Sequence, residues 1–89
     1  MQKEIEKYLK DKYNNISLVG YKYTCRAVEI LINNDKLSIM DIYKIVSIES
    51  NKKIPNIIKG IREYKIKAGH EDIPSKEFIY QIKYDLKGE

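Results

Sequence analysis

The sequence predicts an all-α domain, compact and built from five helices. Apolar residues recur at three- and four-residue spacing along nearly the whole chain, and no segment alternates with period two over a strand's length. The helical stretches are also punctuated by residues that start and stop helices. Ser38 and Asp41 have the spacing of a capping box, Pro55 suits a first helical turn, and Gly69 suits a C-terminal cap.

The first helix is predicted over 2–13. Ile5, Tyr8 and Leu9 form its apolar stripe, lysine and glutamate fill the rest, and Asn14-Asn15 breaks the pattern. The second is predicted over 20–34, with Tyr21, Cys25, Val28, Leu31 and Ile32 along one face. The third spans 38–50 and turns Ile39, Ile42, Tyr43 and Val46 inward. After the polar turn Ser50-Asn51-Lys52-Lys53, the fourth spans 55–68. At roughly 100° per residue, Ile57, Ile61, Tyr64 and Ala68 fall together on one side of it. Pro55, Asn56, Lys59, Arg62, Glu63 and Ile66 fall on the other. The fifth helix spans 75–87 and buries Phe78, Ile79, Ile82 and Leu86. Among the tyrosines, Tyr21, Tyr43, Tyr64 and Tyr80 are expected to place their rings in the core or at its edge with hydroxyls reaching out. Tyr23 is expected at the surface.

Composition bounds the function. With 89 residues the chain is read as one domain, 1–89, burying roughly 60–65% of its unfolded surface. Hydrophobic residues make up 43% and charged residues 34%, the balance of a folded, soluble protein rather than a disordered one. The net charge of +4 leans towards a polyanionic partner. No apolar run approaches the ~20 residues of a membrane span, and the N-terminal residues lack the apolar core of a secretory signal. One cysteine, Cys25, permits no intrachain disulfide and fits a reducing, cytoplasmic setting. Heavy use of Lys, Ile, Asn and Tyr suggests an AT-rich bacterial, phage or plasmid genome.

Catalysis has no foothold, so the chain is read as a non-enzyme. Cys25 lies on an apolar stripe with no histidine nearby to activate it, which reads as a small buried thiol. His70 falls in a predicted loop, beside Glu71 and Asp72, and reads as a solvated side chain, since a defined metal site needs three or four convergent ligands. The four glycines are scattered and form no phosphate loop. No metal, cofactor or small-molecule ligand is expected.

The charge pattern points elsewhere. Between Lys52 and Lys67 stand Lys52, Lys53, Lys59, Arg62, Lys65 and Lys67 against Glu63 alone. A lysine-rich helix is often just a solvated face. Here the charge clusters on the turn and second helix of a helix–turn–helix pattern, opposite the apolar stripe. That arrangement suits insertion into a DNA groove. Asn56, Lys59 and Arg62 are the candidate base readers: Asn56 matches adenine N6 and N7, Arg62 matches guanine O6 and N7, and Lys59 suits either a base or a phosphate. Lys52 and Lys53 suit phosphates.

From about Ser17 to Leu86 the chain resembles the C-terminal effector domain of the sporulation master response regulator, stage zero sporulation protein A. Gly20-Tyr21-Lys22-Tyr23 leading into Arg26-Ala27-Val28-Glu29 is similar to that family's G-Y-x-Y-L-R-E-A-I segment. Ile42-Tyr43, running without a gap into Gly60-Ile61-Arg62, resembles its helix–turn–helix with A-I-R in the recognition helix. Pro74-Ser75-Lys76-Glu77-Phe78-Ile79 resembles its closing P-x-x-S-E-F-I. The resemblance implies an all-helical domain that reads DNA with the second helix of its helix–turn–helix. It puts DNA-contacting positions on Asn56, Ile58, Lys59, Arg62 and Glu63. Arg62 keeps the family residue and Lys59 its charge, whereas Asn56 replaces an arginine, Ile58 a glutamate and Glu63 a histidine. Pro55, Ile58, Glu63 and Lys65, with Lys52 and Lys53, are thus expected to flank the bases or meet phosphates. The connection after the recognition helix is short, roughly Gly69–Ile73, and the chain is expected to be the effector domain alone, without the family's receiver domain.

The sequence therefore leads to a sequence-specific double-stranded DNA-binding protein, a transcriptional regulator acting in the cytoplasm on nucleoid or plasmid. Dimerisation or tandem binding would compensate for the few base pairs one module covers. Two other readings stand beside it: an accessory factor for plasmid or phage DNA transfer, replication or segregation, and a protein-interaction module that antagonises a sporulation-type regulator.

Overall fold

The structure is a computed structural model and describes residues 2–13 and 19–88. It contains α1 (Gln2–Tyr13), α2 (Val19–Asn33), α3 (Ile39–Ser50), α4 (Ile54–Lys67) and α5 (Ser75–Lys87), with no strand among the described residues. The five expected helices are present, each within one residue at either end. The Asn14-Asn15 break lies outside the described residues.

The small shifts have local causes. Ser38 is the N-cap, extended at φ −73° and ψ 161°, so α3 begins one residue later than expected. Both arms of its capping box form: the Asp41 amide donates to Ser38 Oγ at 3.1 Å, and the Ser38 amide donates to Asp41 Oδ2 at 3.4 Å. At the end of α4, Gly69 takes φ +88°. Its amide donates to the Ile66 carbonyl and the His70 amide to the Lys65 carbonyl, the paired bonds of a Schellman stop. Ala68 therefore caps α4 rather than extending it.

Helix α2 is the centre, packed against each of the other four helices. Its burial extends beyond the expected stripe to Tyr23, Thr24, Ala27 and Ile30, because a helix surrounded by neighbours is apolar on more than one face. Ile5 and Leu9 of α1, Ile42, Tyr43 and Val46 of α3, Ile57, Ile61 and Tyr64 of α4, and Phe78, Ile79 and Ile82 of α5 complete the core. Gly20 and Gly60 let α2 and α4 approach at backbone distance, and the ring of Tyr23 lies against Gly60.

Three side-chain expectations are corrected. Tyr23 is buried, since its ring covers the space beside Gly60. The Tyr64 hydroxyl does not reach out; it is buried without a hydrogen-bond partner among the described residues. His70 is half-buried, its ring against Tyr13 and Phe78, with Nε2 3.2 Å from the Tyr13 hydroxyl.

Candidate nucleic-acid interface

The candidate face is built from α3, the turn Asn51-Lys52-Lys53 and α4. Asn51 makes the turn by adopting the left-handed conformation, φ 56° and ψ 41°, which asparagine tolerates better than most residues. Its amide donates to the Ile48 carbonyl and the Lys52 amide to the Ser47 carbonyl, while Ser47 Oγ donates to the Lys52 carbonyl. Lys53 is the N-cap of α4, and the first helical amides are capped by no side chain. The Lys53 carbonyl instead accepts from the Asn56 and Ile57 amides.

The turn is anchored from below. Arg26 of α2 donates through Nε and Nη2 to both carboxylate oxygens of Glu49, each at 2.7 Å, and through Nη1 to Glu29 at 2.6 Å. This fork ties the last turn of α3 to the central helix. The guanidinium bonds hold the Glu49 carboxyl below its ordinary range. Sequence reasoning missed this contact, because nothing local signals an ion pair between residues so far apart.

The predicted site residues divide in the structure. Lys52, Lys53, Pro55, Asn56, Lys59, Arg62 and Glu63 are all exposed. Pro55, Lys59, Arg62 and Glu63 line one shallow hollow together with Ile66 and the half-buried Ile58. A second hollow, lined by Ser47, Ile48, Asn51, Lys52 and Lys53, lies over the turn. Among the described residues the ion pairs are those of Lys12 with Asp85 and of Arg26 with Glu29 and Glu49, so none engages Lys52, Lys53, Lys59, Arg62 or Glu63.

Lys65 does not belong to this face. It is only 5% exposed, and its ammonium donates to the carbonyls of His70, Glu71 and Ile73 at 3.1, 3.4 and 2.6 Å. The reason is angular: at roughly 100° per residue, position 65 falls about 40° from Ile61, on the core side. The charge of Lys65 suggested the front, and its phase put it behind. There it satisfies carbonyls of the loop that follows α4.

Cys25 is buried beside Tyr21 and Glu6, and burial pushes its thiol up to about 12, which keeps it protonated and unreactive at neutral pH. No helix among the described residues is long and apolar enough to cross a membrane. Comparisons with protein-family models, curated proteins and solved structures gave no match to this chain.

Proposed function

We propose that this chain is a sequence-specific double-stranded DNA-binding protein that regulates transcription, with α4 as the helix that enters the major groove. One observation carries the reading. The exposed side of α4 and its leading turn present Lys52, Lys53, Lys59 and Arg62, none held by an ion pair among the described residues, while the opposite side is locked in the core through Ile57, Ile61 and Tyr64. A helix supported from behind and positively charged in front is what major-groove insertion needs. The resemblance to the sporulation regulator's effector domain supports the same role for α4.

In this reading Lys52 and Lys53 neutralise phosphates beside the groove. Asn56, Lys59 and Arg62 face base edges, with Pro55, Ile58 and Glu63 around them. Two copies, as a dimer or on tandem sites, would add affinity beyond what one module gains. The protein acts in the cytoplasm on nucleoid or plasmid DNA, and an accessory role in transfer, replication or segregation uses the same surface. A protein-interaction role antagonising a sporulation-type regulator is favoured by Ile48, 80% exposed at the turn, and by Ile66, exposed at the far end of the face.

The test is selection from random duplexes followed by gel shift at low salt, where phosphate contacts are strongest. Enrichment of a defined site is expected. Arg62→Ala should relax one position at a cost of ~1–3 kcal/mol, and Lys53→Ala should weaken all sequences alike. No binding at low salt overturns DNA binding, and a salt-insensitive complex with a protein in its place favours the interaction role.

A further inference from the structure

Glu63 is the one carboxylate in the segment from Lys52 to Lys67. At roughly 100° per residue it lies about 40° from Lys59 and 100° from Arg62, well inside the exposed side of α4. It lines the same hollow as both, it is exposed, and among the described residues it forms no ion pair with either. An unpaired carboxylate facing phosphates opposes binding to DNA in general. It helps only where a donor meets it.

From this placement we infer that Glu63 selects cytosine at one position of the bound site; the inference rests on the DNA-binding reading above. An ionised carboxylate accepts hydrogen bonds and donates none. In the major groove, guanine presents N7 and O6 and thymine presents O4, all acceptors, which repel it. Adenine sets its N6 donor beside its own N7 acceptor, whereas cytosine's own edge presents the N4 donor with no acceptor beside it. Cytosine is therefore the base that Glu63 matches. The lack of an Arg62–Glu63 pair leaves the guanidinium its full donor set for guanine, so the two neighbours read different bases.

The residue's chemistry makes the test sharp. Glu63→Gln replaces an acceptor-only group by an amide that both donates and accepts, the pattern that pairs with adenine N6 and N7. Glu63→Ala removes the contact and the repulsion together. Sites are selected from random duplexes with the wild type, Glu63→Gln and Glu63→Ala at one salt concentration, and affinities are measured on the wild-type site and its single-base variants. One selected position is expected to be cytosine for the wild type, adenine for Glu63→Gln and degenerate for Glu63→Ala, with other positions unchanged. Replacing that cytosine should weaken the wild type by ~10-fold and Glu63→Ala hardly at all. Glu63→Ala should also bind unrelated duplexes more tightly than the wild type. Sequence-selective binding with the same selected site for all three proteins overturns this inference alone. Failure of the wild type to bind any duplex at low salt overturns the DNA-binding reading and this inference with it.

Discussion

A β-carbon placed on Gly20 would stand 1.9 Å from the carbonyl oxygen of Gly60, so the backbones of α2 and α4 are in direct contact at this pair. The crossing sets the depth at which α4 sits on the central helix and hence how its exposed side projects. Gly20 is the second residue of α2, so Gly20→Ala gains less than the ~1 kcal/mol of helix propensity of an interior position, and it forces one helix away from the other. A net loss of ~1–3 kcal/mol is expected, each kcal/mol lowering Tm by roughly 4–8 °C in a domain of this size. Gly60→Ala should cost less, because its β-carbon would meet the edge of the Tyr23 ring at 2.9 Å rather than a backbone atom. Thermal melts of the two variants check the ranking, and a Gly20→Ala protein as stable as the wild type contradicts it.

Helices α3 and α4 were legible because they are marked locally: the Ser38–Asp41 box, Pro55 in the first turn of α4 and Gly69 at +88° are all readable from residue type. The exposed side of α4 was legible for the same reason, since the phase of Ile57, Ile61 and Tyr64 defines its opposite. What stayed hidden depends on neighbours distant in sequence. Tyr23 is buried because Gly60 leaves room for it, and Thr24 because α2 is enclosed. Glu49 finds Arg26 across a helix boundary. Lys65 was assigned by charge when its phase already placed it behind.

Lys65 should behave as a core residue and not as a surface lysine. Lys65→Met keeps the apolar stem but deprives the His70, Glu71 and Ile73 carbonyls of their shared donor, at a cost of ~1–3 kcal/mol. Lys53→Met, at an exposed position, should stay within about 0.5 kcal/mol of the wild type. Urea denaturation distinguishes them. On DNA the order reverses: Lys53→Met should reduce the salt slope by about 1, and Lys65→Met should leave it unchanged.

Stability should fall at both ends of the pH scale. Arg26 holds Glu49 below its ordinary value of 4.5, and the Tyr8 hydroxyl, aided by Lys12, holds Asp85 below 3.8. Both carboxyls are thus more acidic folded than unfolded. Their stabilisation is complete above the unfolded values and is lost as pH drops through the folded ones. Both side chains are 42% exposed, so each pair contributes under about 1 kcal/mol. Tyr8 and Tyr21 shift the other way: burial pushes each up to about 12 from 10.0, so their contribution is full below pH 10 and declines from there towards 12. Urea midpoints measured across pH should show a plateau with two falling flanks. Glu49→Gln should flatten the acid flank and leave the alkaline one in place, whereas Asp85→Asn should flatten the acid flank and also shrink the alkaline one, because Asp85 accepts the Tyr8 hydroxyl and helps raise it.

Tyr64 offers the opposite case, a polar group whose removal should help. Its side chain is fully buried among the rings of Tyr13, Tyr21 and Phe78, at centroid distances of 6.4, 6.0 and 6.2 Å. Its hydroxyl has no hydrogen-bond partner among the described residues, and burial drives the phenol well above its ordinary range. Leaving such a group unsatisfied costs ~1–3 kcal/mol. Tyr64→Phe keeps the ring contacts and removes the hydroxyl, so it should equal the wild type in stability or exceed it by up to ~2 kcal/mol. Tyr21→Phe is the control. The Tyr21 hydroxyl donates to the Glu6 carbonyl at 3.3 Å, and losing that bond should cost ~0.5–1.5 kcal/mol. If Tyr64→Phe proves the more damaging of the two in denaturant titrations, the Tyr64 hydroxyl holds a bond after all, and the interior around α4 is more polar than its rings imply.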